Sequence, residues 1–540
     1  MPSPSSGLGG AVAGNFRGAG WTPRIVFSLL SIVFLIEAVT LAYTTATTAL
    51  PYISAEFQTT QAGWILTAYA LTGTIAAPIF GKLADRYGKR RMLLTVLFLS
   101  FCGSLISASA QSFGMLLVGR TFEGFLIASM FLSYSLIRDV YPAKIVPFAA
   151  SITVTGAGAL AALLPTIVGQ CIDNWGFRSV FVLSAVWVGS MALFISITTK
   201  ETEVRTKSRI DVLGAFLIAA AIGGTLTGIS LGNTWGWSDP RTLGLIIGGL
   251  SLGVGFVLSA LKRPEPILDV RMFRRRGILI ASAVAAVGYG IQPVTITLAS
   301  IIGLTPAVMG GGYGLGLSAT ALAQITTPSS VSAVLAGIIT GLFVRRVGPW
   351  NIGRAGVLFL ALGTAYVAMR HDNVVDMIVG FVLIGFGAGF VAASIPNLVI
   401  SAAPVHEQAS FSSGVQVVLS GVGAVTPVLA FVVLGRSAFA GPGGVPVYSN
   451  GAITAIFVAC LALAIVGLIV LSTVLRPRAE SFAPTDVLDA AQLELLEAEL
   501  ASVDKDISGI EGGLVGSAGA DAPKSAIRHS APSLGMDEPR

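Results

Sequence analysis

Fourteen apolar stretches follow one another along this chain, separated by short polar breaks. A membrane-spanning helix needs about 20 apolar residues. By that ruler the spans run over about 25–50, 63–80, 92–110, 113–137, 148–171, 179–198, 212–232, 242–261, 278–302, 318–343, 352–369, 375–401, 410–434 and 450–475. In hydrocarbon each backbone polar group must be satisfied within the chain, so segments of this length have to be helices. Only 11% of the 540 residues are charged, against about 25% in a soluble domain. The expected fold is therefore an all-α membrane protein with fourteen transmembrane helices. The start of the tenth is the vaguest, because 303–330 is rich in Gly, Ser and Thr. The polar tail over 1–24 leads into an apolar segment longer than a signal h-region, so the first span is read as uncleaved.

The cations set the orientation. If both termini are cytoplasmic, the alternate loops counted as inside hold 24 Lys and Arg, leaving out the far C-terminal tail. Those counted as outside hold only Arg178, Arg241, Arg370 and Arg436. Removing one span would break the alternation, so an even number with both ends inside follows from the positive-inside rule. The loop at His406 and Glu407 contributes no cation to this pattern. The net charge of +6 is spread over short loops between spans. It marks no nucleic-acid partner; the bilayer is the expected one. Cys102, Cys171 and Cys460 stand singly, and His371, His406 and His529 are scattered. Neither set has the spacing of a disulfide framework or a metal site, and no cofactor is expected. A monomer in an inner (plasma) membrane is the expected state.

One loop carries more than orientation. Gly81 to Leu94, GKLADRYGKRRMLL, gathers Lys82, Arg86, Lys89, Arg90 and Arg91 around Asp85. Its glycines, Gly81 and Gly88, are read as tight turns. An ordinary anchoring loop would be basic too, but needs neither the acid nor both glycines. The pattern formed by Gly81, Leu83, Asp85, Arg86, Gly88, Lys89 and Arg90 resembles the loop between spans 2 and 3 of the major facilitator superfamily. The resemblance implies two parallel six-helix bundles around a substrate cavity, worked by alternating access, with this loop as a conformational latch. Gly341 to Trp350, GLFVRRVGPW, echoes it between spans 10 and 11, without the Asp. The expected division is a six-helix bundle over 25–198, two inserted spans with flanking loops over 199–276, and a second bundle over 277–475. A tail over 476–540 follows, with a short amphipathic helix near Leu493 to Ile507 and then disorder. Fourteen spans resemble the larger branch of the family's drug:proton antiporters.

Charge in a span costs about 2.5–3.5 kcal/mol on insertion scales, so the few deep charges are candidates for function. Glu37 lies midway along the first span and heads a polar stripe, with Thr40, Thr44, Thr47 and Thr48 on one helix face. A carboxyl out of water holds a proton more readily than one in water. A structural Glu bonded to a neighbouring helix is the alternative. Arg120 and Glu123 are three residues apart in the fourth span and can pair. Their segment, LLVGRTFEG, resembles the family's span-4 pattern of Arg, two residues, then Gln-Gly, with Glu123 in place of the Gln. The resemblance implies a role for Arg120 in proton transfer. An Arg stays protonated, so it would act by tuning a carboxyl, Glu123 or Glu37. The resemblance also implies an Asp shortly before the Ala49-Leu50-Pro51 that closes the first span, but that position holds Ala42.

Span 5 resembles the antiporter signature in part. Gly156, Gly158, Pro165 and Gly169 fit its small-residue and proline pattern, while Leu164 and Gln170 do not. In the second bundle Gln292, Gln324, Asn397 and Gln416 are the deep polar groups, and with Thr40, Thr44 and Tyr289 they are candidate cavity residues. Phe381, Phe386 and Phe390 are further apolar candidates, though aromatic residues in spans more often meet lipid or core. The expected activity is proton-coupled export of hydrophobic or cationic small molecules. Export of a lipid or cell-envelope precursor is the alternative. A membrane enzyme is disfavoured because no loop clusters Asp, His or Cys, and a receptor because the tail is short.

Overall fold

The computed structural model describes residues 22–476, apart from 60, 142–159, 161, 203–210, 264–265, 267, 307–309, 403–407 and 442–445. The helices of the first half are α1 (Pro23–Glu56), α2 (Trp64–Tyr87), α3 (Lys89–Ala108), α4 (Phe113–Glu123), α5 (Ala128–Val140), α6 (Leu164–Trp175) and α7 (Ser179–Thr198). Then come α8 (Val212–Trp235) and α9 (Pro240–Lys262). The second half holds α10 (Arg276–Leu304), α11 (Ala319–Val347), α12 (Pro349–Met369), α13 (Val374–Ala402), α14 (Gln408–Arg436) and α15 (Asn450–Ser472). A two-residue antiparallel pair, Phe439–Ala440 with Pro446–Val447, closes the loop before α15.

Among the described residues twelve helices are long and apolar enough to cross a membrane, with α4 and α5 counted as one. A thirteenth, α2, qualifies as a bent pair, kinked by 42° between Ala77 and Ile79. Of the fifth expected span only α6 is described, so Gly156 and Gly158 lie outside the described residues. So do the C-terminal tail and its expected amphipathic helix. Large apolar side chains such as Phe98, Val186, Phe216, Ile247 and Leu342 are exposed along the helices. In a chain of this composition lipid is what covers such faces.

Local chemistry explains the helix ends. Thr22 caps α1 by accepting from Ile25 N at 3.3 Å, and Pro23 opens the helix where no N–H is needed. Asp211 caps α8 by accepting from Gly214 N at 2.9 Å. Arg263, just past the end of α9, also donates to Asp211. That ion pair clamps the loop-side ends of α8 and α9 together.

The basic segment differs from its sequence reading. There is no extended loop over 82–91, because α2 runs to Tyr87 and α3 starts at Lys89. Gly88 alone makes the turn, at φ 109°. Gly81 lies inside α2, where a β-carbon would come within 3.3 Å of the Phe131 ring, so its smallness serves helix packing. Gly348 makes the same single-residue joint between α11 and α12, at φ 83°.

Helices α1 to α5 and α7 pack mainly on one another, as do α10 to α15, while α6 packs more on α11 than on the first set and α8 and α9 form a close pair. The two sets meet where α2 lies on α14, α6 on α11 and α1 on α10. Named contacts at the first two seams lie in the half away from the Gly88 turn. Helix α8 touches both α2 and α14, so the inserted pair lies across one of the seams.

Candidate functional site

The centre of the first helix set is organised by Arg120. The helix that carries it tightens into a 3-10 turn over Gly124–Ile127, one residue past Glu123. Gly124 lets α2 lie close at that turn, because a β-carbon there would come within 2.4 Å of the Tyr69 carbonyl on α2. Arg120 is fully buried. Its Nε donates to the Ile65 carbonyl on α2 at 3.1 Å, and one terminal nitrogen donates to the Ala42 carbonyl on α1 at 3.2 Å. The other terminal nitrogen pairs with Glu123 Oε2. The guanidinium also lies over the Tyr69 ring, 4.6 Å from its centroid. One side chain thus fastens α1, α2 and α4 together, using the planar, many-donor geometry that only Arg offers.

The acid side is less satisfied. Glu123 Oε1 is buried and makes no well-aligned hydrogen bond among the described residues, with the Ser104 hydroxyl of α3 the donor within its reach. Glu37 is 2% exposed and its Oε2 is unpartnered among the described residues. No ion pair or hydrogen bond joins Glu37 to Arg120 among the described residues. Sequence spacing brings Arg120 to Glu123, and the fold keeps Glu37 apart in its own buried position. The carbonyl of Ala42 accepts from Arg120 at the position where the family resemblance implies an Asp. Along the α1 stripe, Thr40 and Thr44 stay half-buried, whereas Thr47 and Thr48 are buried. Thr47 satisfies its hydroxyl on its own helix, donating to the Thr44 carbonyl at 3.0 Å.

In the second set Tyr289 and Gln292 are half-buried on α10. Asn397 donates to the Ala393 carbonyl of its own helix at 2.8 Å, and Gln416 donates to Ser420 Oγ at 3.3 Å. Gln324 is exposed on α11. Phe381 is buried in the core. Phe386 and Phe390 pack on Phe359, with centroids 5.8 and 5.7 Å away, so they help join α13 to α12.

The Gly88 turn is held by a residue that sequence reading missed. Glu201, just beyond α7, accepts from Arg90 N at 2.9 Å and from Arg91 N at 3.0 Å. It therefore caps the start of α3, where free N–H groups favour a carboxylate. A β-carbon on Gly88 would come within 2.7 Å of that carboxylate. The Arg90 guanidinium reaches the Ser196 carbonyl on α7. Lys89 is buried, Asp85 half-buried and Arg86 exposed beside the Tyr87 ring. Lys82 Nζ donates to the Pro266 carbonyl at 3.2 Å, so the segment after α9 is tied to this turn. On the opposite half of the molecule Pro165 opens α6, and Gly169 seats its backbone against α11.

Long apolar helices in two packed sets, with buried ionisable groups in the first, define an integral membrane protein of the transporter class. The family described as Major Facilitator Superfamily matches residues 30–427. The chain belongs to that superfamily, and it is a transporter rather than an enzyme. It is 27% identical to the "Multidrug resistance protein Stp" of Mycobacterium tuberculosis (strain CDC 1551 / Oshkosh), over 72% of this chain and 71% of that one. It is 26% identical to the "Tetracenomycin C resistance and export protein" of Streptomyces glaucescens, over 76% and 75% respectively. Among solved structures, a POT family transporter in complex with 5-aminolevulinic acid superposes with a TM-score of 0.61 at 13% identity, covering 83% of this chain and 96% of that one. This likeness is one of fold.

Proposed function

We propose that this transporter exports hydrophobic or cationic small molecules in exchange for protons, by alternating access. It does so with fourteen spans and both termini in the cytoplasm. The observation that carries the reading is the pair of carboxyls, Glu37 and Glu123, both buried inside the first helix set, with Glu37 Oε2 unpartnered among the described residues. A buried acid left partly unsatisfied needs an explanation, and reversible protonation supplies one. Moving one charge across a membrane is worth about 2.3 kcal/mol per 100 mV, and a titrating carboxyl is what lets an exporter use it. Glu123 is already engaged by Arg120, whereas Glu37 makes no ion pair among the described residues, so Glu37 is the proposed main proton carrier. Thr40, Thr44, Tyr289, Gln292, Gln324, Asn397 and Gln416 are the proposed cavity residues. Asp85, with Gly81, Arg86, Gly88, Lys89 and Arg90, forms the proposed latch, steadied by Glu201.

The names of the similar multidrug and tetracenomycin resistance proteins support a drug-like substrate. Pumping of a lipid precursor is the second reading; the near absence of charge inside the second helix set favours apolar cargo of either kind. The test is uptake of a fluorescent hydrophobic cation, ethidium, into inverted vesicles under a pH gradient. Glu37→Gln should abolish gradient-driven uptake while leaving dye binding intact. Glu123→Gln, which restores the residue of the family pattern, should be milder. Full gradient-driven uptake by the double variant would overturn carboxyl coupling.

A further inference from the structure

Asp173 is oddly placed for its own helix. It lies in the last turn of α6, where the carbonyl end of the helix disfavours an anion. Its partners are on the other helix set. Oδ1 accepts from Ala319 N at 3.0 Å and Oδ2 accepts from Thr320 N at 2.8 Å, both in the first turn of α11. A helix start has free N–H groups to fill. Here Ser318 fills one, accepting from Ala321 N at 3.1 Å, and a residue 146 positions away fills two. One turn earlier on α6, Gly169 lets the two backbones touch. A β-carbon there would come within 2.5 Å of the Ala319 carbonyl and 2.6 Å of Thr320 Cα. Desolvation at the seam would raise the Asp173 carboxyl, but hydrogen bonds from Thr320, Ala319 and Ser318 outweigh it and hold the group below the usual carboxylate range.

We propose that Asp173 is an inter-bundle latch on the face away from the Gly88 turn, holding the start of α11 while that face is shut and releasing it each time the face opens. The latch rests on the alternating-access reading but not on the identity of the coupling ion. It belongs to the face that the cation pattern puts outside. Opening the seam strips two N–H groups of their acceptor at once, so the closed arrangement loses its hold in one step. The Gly169 seat makes the fit close enough for the carboxylate to reach both.

The test is pulsed electron resonance on a cysteine-free background with spin labels at Trp175 and Gln324, which are exposed on α6 and α11. Asp173→Ala should raise the long-distance population at least threefold. Asp173→Asn keeps the size and one acceptor oxygen, so it should fall between Asp173→Ala and the parent protein. If Asp173→Ala does not fold, Asp173→Asn carries the test. An unchanged distance distribution in the folded variants would overturn the latch. Because the distances are read without substrate or gradient, that result is separable from a failure of proton coupling, which the vesicle assay reports.

Discussion

Arg120 shows how much of this protein rests on single side chains. Removing it leaves Glu123 buried without its counter-ion, and breaking a buried pair typically costs about 3–5 kcal/mol. Arg120→Ala should therefore lower the Tm of the purified protein in detergent by many degrees. Arg120→Ala combined with Glu123→Gln should recover a large part of that loss, because the stranded charge is gone. Equal Tm values for the single and double variants would show that the carbonyl contacts to Ile65 and Ala42 matter and the ion pair does not. The pair itself was legible from the i, i+3 spacing. The bonds to Ile65 and Ala42 were not, because sequence spacing says nothing about which helices lie alongside. Glu201 was missed for the same reason. It stands 111 positions from Arg90 in the chain, and an acid in a polar segment gives no local signal of the helix end it will cap.

Among the elements, the seam between α2 and α14 depends on Gly63. A β-carbon there would come within 2.2 Å of the Phe431 ring. Overpacking of this kind costs about 1–3 kcal/mol, which would depopulate the closed seam by about 5- to 150-fold. Gly63→Leu should reduce dye transport accordingly, and Phe431→Ala on top of it should restore most of the rate. Failure of the second change to rescue would mean that the glycine serves the backbone turn before α2 instead. The cleft beside this seam is lined by Gln61, Trp64, Thr67, Asn233 and Phe431. Asn233 on α8 donates to the Val432 carbonyl at 2.8 Å, so the inserted pair is fixed to α14. Apolar length was enough to predict α8 and α9 as helices. It gave no hint that they would lie across a seam, because their outward faces are as apolar as their packed ones.

For the whole molecule, the cation pattern makes a sharp prediction. In a cysteine-free background, Gln58→Cys should react with an impermeant thiol reagent on intact cells, and Arg86→Cys only after permeabilisation. Both positions are exposed, so a reagent can reach either. The reverse result would overturn the topology with both ends inside. Local chemistry is the part of this protein that the sequence determined alone. Apolar length forces helices, Gly88 marks a tight turn in the basic segment, and the cost of charge in lipid singles out Glu37, Arg120 and Glu123. Only the tertiary structure decided which helices share a seam. The grip of Asp173 on α11, the Glu201 cap on α3 and the placing of Gly81 inside a helix all depend on groups far apart in the chain. Their energies exist only once the helices have packed, and hydropathy, which is read a window at a time, carries no trace of them.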